Sequence, residues 1–186
     1  YQLPDHYILN VGSIEERKNA LSAVQALMML PEQIHLVIVG RHTEYTDKIE
    51  RFIKENKLEE RVHIISNVPF DDLPAFYQLA EIFVYPSRFE GFGIPIIEAL
   101  YSGIPVVAAT GSCLEEAGGP DSIYVHPDDI KGMADAFKQI YSDTERKKEM
   151  IEKGQKFAKR FSEEKQAEEI LNIYKKLMKW TYLNIQ

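Results

Sequence analysis

Short, uninterrupted apolar runs alternate with amphipathic stretches along the whole chain. Ile8-Leu9-Asn10-Val11, closed by Gly12, reads as a buried strand. Asn19 then stands as the N-cap of a helix whose apolar face is Leu21, Val24, Leu27, Met28 and Leu30, ended by Pro31. His35 to Val39 before Gly40 is a second strand, followed by a helix from about Thr46 to Asn56 that turns Ile49, Phe52 and Ile53 inward. Val62 to Ile65 is a third strand, with a short helix over Leu73 to Ala80. Ile82-Phe83-Val84-Tyr85 is a fourth, closed by Pro86-Ser87. Gly91-Phe92-Gly93 leads into a helix with Pro95 in its first turn and Gly103 just past its end. Pro105 to Ala108 and Ile123 to Val125 supply two more strands. Three helices finish the chain: one capped by Asp128 or Asp129 and running to about Tyr141, one from Thr144 to Phe161, and one from a cap at Ser162 to about Lys179.

Six strands without polar alternation, separated by helices, predict a parallel sheet covered on both faces. The fold class is therefore α/β, a doubly wound, Rossmann-like six-stranded sheet, with residues 1–186 forming one domain. Such sheets commonly order their strands 3-2-1-4-5-6 and bind ligands outside the carboxyl ends of strands 1 and 4. The loops after Val11 and after Tyr85 are thus expected to be neighbours and to form the site.

The charge balance narrows the partner. Lys plus Arg is 22 against 29 Asp plus Glu, giving a net −7 over 186 residues. That argues against a nucleic-acid binder living on phosphate neutralisation, and against attachment to a membrane surface through this domain. The single cysteine, Cys113, excludes an internal disulfide framework and a cysteine-rich zinc site. No apolar run approaches the roughly 18 residues of a membrane helix. A cytoplasmic domain is the expectation.

The first of the two loops reads Gly12-Ser13-Ile14-Glu15-Glu16-Arg17-Lys18-Asn19, the second Pro86-Ser87-Arg88-Phe89-Glu90-Gly91-Phe92-Gly93-Ile94. Glycines flanking an aromatic at a helix entrance let backbone approach a ligand while first-turn N–H groups point at it, which suits a phosphate oxygen or a sugar hydroxyl. Arg17 and Lys18 across the switch point suit a diphosphate. Each feature alone has a plain alternative: turn glycines, solvated surface cations, and a Glu98 that points to water. Gly12-Ser13-Ile14 is not Gly-x-Gly-x-x-Gly, and Gly40-Arg41 stands where a dinucleotide fold places an acidic residue, so a NAD-dependent enzyme is disfavoured.

Taken together the motifs are specific. Glu90 to Leu100 resembles the E-x7-E signature of the retaining family 4 glycosyltransferases, and Gly103 to Ala108 resembles their G-x-P-V-V-A strand. Leu73, Tyr77, Ala80-Glu81 and Pro86-Ser87 resemble an upstream family stretch, while Val11-Gly12 with Arg17-Lys18-Asn19 resembles a diphosphate-binding loop. Glu116, Gly118, Pro127 and Asp128 resemble further elements downstream. The resemblance, over about residues 7 to 179, implies the second, donor-binding half of a GT-B enzyme, with the acceptor bound mainly by a first half not in this chain. It implies a nucleotide-diphosphate-sugar donor, no cofactor and no metal.

By that resemblance Lys18 grips the diphosphate. Ser13 replaces the usual basic residue, and Arg17 is the candidate to supply the missing charge. Glu98 accepts from the ribose hydroxyls and Glu90 sits beside the donor sugar. Gly12, Gly91, Phe92, Gly93 and Ile94 line the phosphate and sugar, and the base falls near Asn67 and Val68. The family's mechanism is front-face attack, so Glu90 is not expected to be a nucleophile. The five histidines are expected to be structural, Asp71-Asp72 and Asp128-Asp129 to be turn or cap residues, and Thr110-Gly111-Ser112 to be either a sugar contact or a tight turn. The stripe Ala167, Ile170, Leu171, Tyr174, Leu177 and Met178 reads as core packing, with residues from Trp180 onward crossing to the other half. A stand-alone nucleotide-sugar-binding module is the alternative, since the same residues serve both.

Overall fold

The computed structural model describes residues 1–183, with side chains described through residue 178. Strands β1 (Tyr7–Val11), β2 (His35–Val39), β3 (Val62–Ile65), β4 (Ile82–Tyr85), β5 (Val106–Ala109) and β6 (Ile123–Val125) form one sheet in the order β3-β2-β1-β4-β5-β6. All five pairings are parallel. The order reverses between β1 and β4, as the sequence predicts.

Successive side chains on a strand point to opposite faces, and both faces here are covered. Ile8, Leu36, Ile38, Ile82, Val84 and Val107 form one core layer beneath α1 (Ala20–Leu27), α2 (Glu44–Glu55) and α6 (Ile130–Ser142). Leu9, Val37, Val39, Phe83, Tyr85, Val106 and Ala108 form the other beneath α3 (Leu73–Leu79), α4 (Ile94–Tyr101) and α5 (Leu114–Gly118). That division leaves Tyr85, the last residue of β4, on the α3–α4 face with its ring in the core and its hydroxyl at the carboxyl rim.

Several boundaries depart from the sequence reading for local reasons. Asn19 is left-handed (φ 58°) and does not cap α1 through its side chain; its Nδ2 donates instead to the carbonyls of Pro86 and Pro127, at 3.2 and 2.8 Å. Met28 lies past the end of α1 and is exposed, and Ala20, Ala23 and Ala26 are buried in its place. α2 starts at Glu44 because Thr43 and Thr46 form a reciprocal capping box. Asp129 caps α6 through the Gly132 amide at 2.8 Å, whereas Asp72 accepts from the Tyr1 hydroxyl at 2.7 Å and caps nothing. α5 forms between β5 and β6, in a stretch to which the sequence pattern assigns no element. α7 (Thr144–Ala158) tightens into a 3-10 turn over Lys159–Phe161 before α8 (Glu163–Leu183).

The α8 stripe is not core: Ile170, Leu171, Tyr174, Leu177 and Met178 are all more than half exposed. Residues 184–186, the end of the tail expected to cross to another domain, lie outside the described residues.

One close approach fixes the rim. The Gly12 amide donates to the Val39 carbonyl at 2.9 Å, carrying the β1 ladder into the loop. A Cβ on Gly40 would lie 1.8 Å from the Gly12 carbonyl oxygen, so the loops after β1 and β2 pass each other only because Gly40 has no side chain. Gly40→Ala is expected to destabilise the fold by about 2–4 kcal/mol. Gly91→Ala, where a Cβ meets nothing within 4 Å, is expected to stay within about 0.5 kcal/mol. Urea unfolding of both variants checks the contrast.

Candidate functional site

The loops after β1 and β4 are hydrogen-bonded to each other. The Arg88 amide donates to the Arg17 carbonyl at 2.8 Å, and Arg17 Nη1 donates to the Phe89 carbonyl at 3.1 Å. Ser87 Oγ also reaches the Arg17 carbonyl, at 3.3 Å. A further tie comes from Asn19, whose amide spans both the second loop and Pro127. Thus the two loops singled out by topology meet.

Their side chains converge on Glu90. Its Oε1 accepts from Ser87 Oγ at 2.9 Å and from the Tyr85 hydroxyl at 3.0 Å. Arg17 Nη1 lies 3.2 Å and Lys18 Nζ 3.4 Å from the same oxygen. Lys18 also donates to the Tyr85 hydroxyl at 3.0 Å. Gly12, with φ 144°, makes room for this: a Cβ there would lie 3.0 Å from Lys18 Nζ. Lys18 and Glu90 are mostly buried, their side chains 14% and 12% exposed, whereas Arg17 is 46% exposed.

Burial alone would raise the Glu90 carboxyl. The Ser87 and Tyr85 hydrogen bonds and the Lys18 and Arg17 charges outweigh it and hold the group below the ordinary glutamate range. Arg17 is not a free cation, since Nε also meets Glu15 at 3.0 Å. Ser13, the departure from the family pattern, lies beside Glu15, and its hydroxyl is the main reason that carboxyl is lowered.

The turn into α4 is held from behind. Cys113 Sγ donates to the Glu90 carbonyl at 3.1 Å, and Phe92 packs edge-on to Phe161 with ring centroids 5.6 Å apart. Gly93 is left-handed (φ 110°), and a Cβ there would lie 3.0 Å from Leu114 and 3.2 Å from Ala117. The close packing of α5 therefore requires this glycine. No side chain caps α4 and Pro95 has no N–H, so Gly93 and Ile94 are the amides its start offers a ligand.

Glu98 belongs to a second compartment. Its Oε2 accepts from the buried Tyr77 hydroxyl at 2.7 Å. Burial, then the Glu98 carboxylate, pushes that phenol far up, so it stays a donor. A cleft of about 580 Å³ opens here, lined by Phe70, Leu73, Pro74, Tyr77, Phe92, Ile94, Ile97, Glu98, Tyr101, Ser102, Phe161 and Gln166. Lys18, Arg17 and Glu90 are outside this lining, so the predicted residues fall into two groups joined by the Gly91–Ile94 turn.

Asn67 and Val68 are brought to neither group directly. Asn67 is exposed with φ 59°, and Val68 packs against the core. The short 3-10 turn Phe70–Asp72 and α3, just after them, do reach the cleft opposite Glu98. Thr110 and the Gly111 amide both engage the Glu115 carboxylate, which makes that segment a built turn. His35 and His63 pair with each other at 3.0 Å on adjacent strands, consistent with a structural role. Among the described residues His42, Asp47 and Glu50 bring potential ligand atoms within 4.8 Å; all three are exposed and none belongs to the Glu90 group.

Tyr77 and Tyr85 were not singled out as site residues from sequence. The available signal was a phenol closing an otherwise apolar strand, with Phe83 two residues before it on the same face. The three rings pack in sequence, Tyr77 tilted against Phe83 at 5.4 Å and Phe83 stacked on Tyr85 at 5.9 Å.

Comparison with known proteins adds four findings. The profile of the family described as glycosyl transferases group 1 matches residues 2–157. An O-antigen chain mannosyltransferase B of Escherichia coli is 32% identical over 182 residues, covering 95% of this chain and 48% of that protein. Among solved structures, a sucrose-phosphate synthase from Thermosynechococcus elongatus superposes with a TM-score of 0.84 at 27% identity, over 94% of this chain and 46% of that one. The Anabaena protein HepE, solved with UDP and glucose, shares the fold at a TM-score of 0.84 and 21% identity, covering 92% of this chain and 49% of its own. The chain thus spans about half the length of these relatives. No helix among the described residues is long and apolar enough to cross a membrane.

The lowered Glu90 carboxyl sets a pH signature. A group whose folded pKa is depressed contributes stability above its unfolded value and loses it as pH falls through the folded one. Stability is therefore expected to decline as pH drops below about 4.5, the ordinary value. In Glu90→Gln that part of the decline is expected to vanish, together with stability at neutral pH from the lost pairing with Lys18 and Arg17. Denaturant melts of both proteins between pH 3 and 7 read the difference; parallel curves would refute it.

Proposed function

This chain belongs to the glycosyl transferases group 1 family, and from that premise we propose that it is the donor-binding half of a retaining hexosyltransferase. The enzyme would move a sugar from a nucleotide-diphosphate-sugar to a saccharide or lipid-linked acceptor held mainly by the other half. The observation that carries the reading is the meeting of Lys18 and Arg17 on Glu90, in the loop that leads into the uncapped start of α4. A cation pair tied to a loop that runs into uncapped helix amides suits a diphosphate better than a neutral ligand. The name of the E. coli relative makes mannose the first sugar to try.

In this reading the nucleoside lies along the cleft with its ribose hydroxyls donating to Glu98. The diphosphate lies under Lys18 and the Gly93 and Ile94 amides, and the sugar lies at Glu90. Transfer breaks the bond between the anomeric carbon and the diphosphate oxygen, and the electron pair leaves with the phosphate. The acceptor oxygen bonds the same face of that carbon, and its proton passes to the departing phosphate oxygen. Charge grows on the leaving group, and Lys18 with the fixed amide dipoles stabilises it where it grows. Arg17 adds a second, more exposed charge, so the reaction is proposed to need no metal. Glu90, tied at Oε1 by four groups, stabilises the cationic sugar without bonding to it.

The direct test is calorimetric titration of the chain with UDP, GDP and ADP. One of them is expected to bind, with affinity unchanged by EDTA. Glu98→Ala and Lys18→Ala are each expected to weaken that binding roughly tenfold or more. Lack of binding to all three by folded protein would defeat the proposal. With half the cleft supplied by the other domain, this chain alone is expected to show negligible transfer, and robust turnover would overturn that part.

A further inference from the structure

Against both Lys18 and Glu90 stands one hydroxyl whose role neither the motifs nor the comparisons assign. We propose that Tyr85 is a positioning residue: its phenol bridges the Lys18–Glu90 pair and thereby fixes the Lys18 ammonium in place for the terminal phosphate of a nucleoside diphosphate. The inference rests on the donor-site reading above and deepens it.

The hydrogen-bond directions are forced by chemistry. An ammonium only donates and a carboxylate only accepts, so the single phenol must accept from Lys18 and donate to Glu90. Both bonds are 3.0 Å long, whereas Lys18 Nζ and Glu90 Oε1 stay 3.4 Å apart. Burial, followed by the Glu90 charge and hydrogen bond, pushes the phenol well above its ordinary range, so the proton stays in place. The ring itself cannot drift. It is 2% exposed, stacked on Phe83, and fixed by the strand at the rim of the sheet.

Lys18, by contrast, is a point charge on a flexible four-carbon stem. Without the hydroxyl, the stem is free to swing its ammonium around the Glu90 carboxylate with which it pairs at 3.4 Å. An ammonium free to turn presents its hydrogens to a phosphate less often. With the hydroxyl in place, one N–H is committed to the phenol oxygen and a second faces Glu90, which aims the third at a ligand. The Glu90 carboxylate is also oriented, since Ser87, Tyr85, Arg17 and Lys18 all meet Oε1.

The experiment compares UDP, GDP and ADP with UMP, GMP and AMP by calorimetry on wild type, Tyr85→Phe, Lys18→Ala and the double variant. Phenylalanine keeps the ring stack on Phe83 and loses only the hydroxyl. For the base that binds, Tyr85→Phe is expected to weaken the diphosphate about tenfold, or ~1.4 kcal/mol, and the monophosphate less than twofold. The double variant is expected to bind no worse than Lys18→Ala, because Tyr85 acts through the lysine. Tyr77→Phe is the contrast: its phenol holds Glu98, so it is expected to weaken mono- and diphosphate alike. If Tyr85→Phe fails to fold, Tyr85→Met fills the same slot and is read in the same way. Equal losses for mono- and diphosphate, or losses additive with Lys18→Ala, would overturn the inference while leaving the donor site standing. Wild type that binds no nucleotide would remove the donor site itself, and this inference with it.

Discussion

A carboxylate withdrawn from water at the meeting point of two loops organises this rim. Glu90 is surrounded by two cations from the loop after β1 and two hydroxyls from the end of β4 and the loop after it. Were the anion absent, Arg17 and Lys18 would be like charges on adjacent residues, one of them largely buried, with no compensation. Were the cations absent, burial would drive Glu90 toward its neutral form. The arrangement therefore stands or falls together, and it holds the loop after β1 against the loop after β4. The backbone bonds between Arg17, Arg88 and Phe89 reinforce that closure.

Which parts were legible in the sequence follows from which interactions are local or periodic. The six strands are runs of apolar residues buried on both faces, so composition and length identify them, and chirality with the common doubly wound order places β1 beside β4. The neighbouring loops then follow. Residues whose roles depend on a distant partner were harder. Asn19 looked like a cap because its position before Ala20 fits one, yet its left-handed backbone turns the amide toward Pro86 and Pro127. Tyr77 and Tyr85 were visible as motif or strand residues, but nothing along the chain says that their hydroxyls reach Glu98 and Glu90. α5 is only five residues long and has no hydrophobic period to read. The α8 stripe is clearly amphipathic, and periodicity cannot say whether its apolar face meets this domain or something else.

The two compartments differ in physical character. Around Glu90 the groups are charged, hydrogen-bonded and held from several sides. Around Glu98 the walls are aromatic and aliphatic, with one carboxylate set among them by one phenol. An aromatic-walled cleft with a single oriented acceptor suits a flat, amphipathic moiety bearing hydroxyls; a cation-lined turn suits its charged extension. The Gly91–Ile94 segment belongs to both, since Phe92 and Ile94 line the cleft while the backbone turns into α4 beside Glu90. Gly93 permits that dual use: its left-handed conformation lets the chain reverse while α5 packs against it from behind.

The electrostatics of the whole chain and of the site oppose each other. At a net −7 the domain repels an anion from afar, and no broad positive field steers a diphosphate in. Attraction is confined to the last few ångströms, where Lys18 sits in a partly desolvated setting and its charge is little screened by bulk water. Beyond about 8–10 Å at physiological salt, both the repulsion and the pull are damped. A site of this kind selects by position more than by charge alone. An anion that presents its oxygens to Lys18 and to the α4 amides at once gains from both, whereas one that meets only the exposed Arg17 finds a guanidinium already shared between Glu15 and Glu90. Burying the more reactive cation beneath Gly12 and tying the exposed one to carboxylates thus turns two ordinary residues into a shape-dependent anion site within an acidic domain.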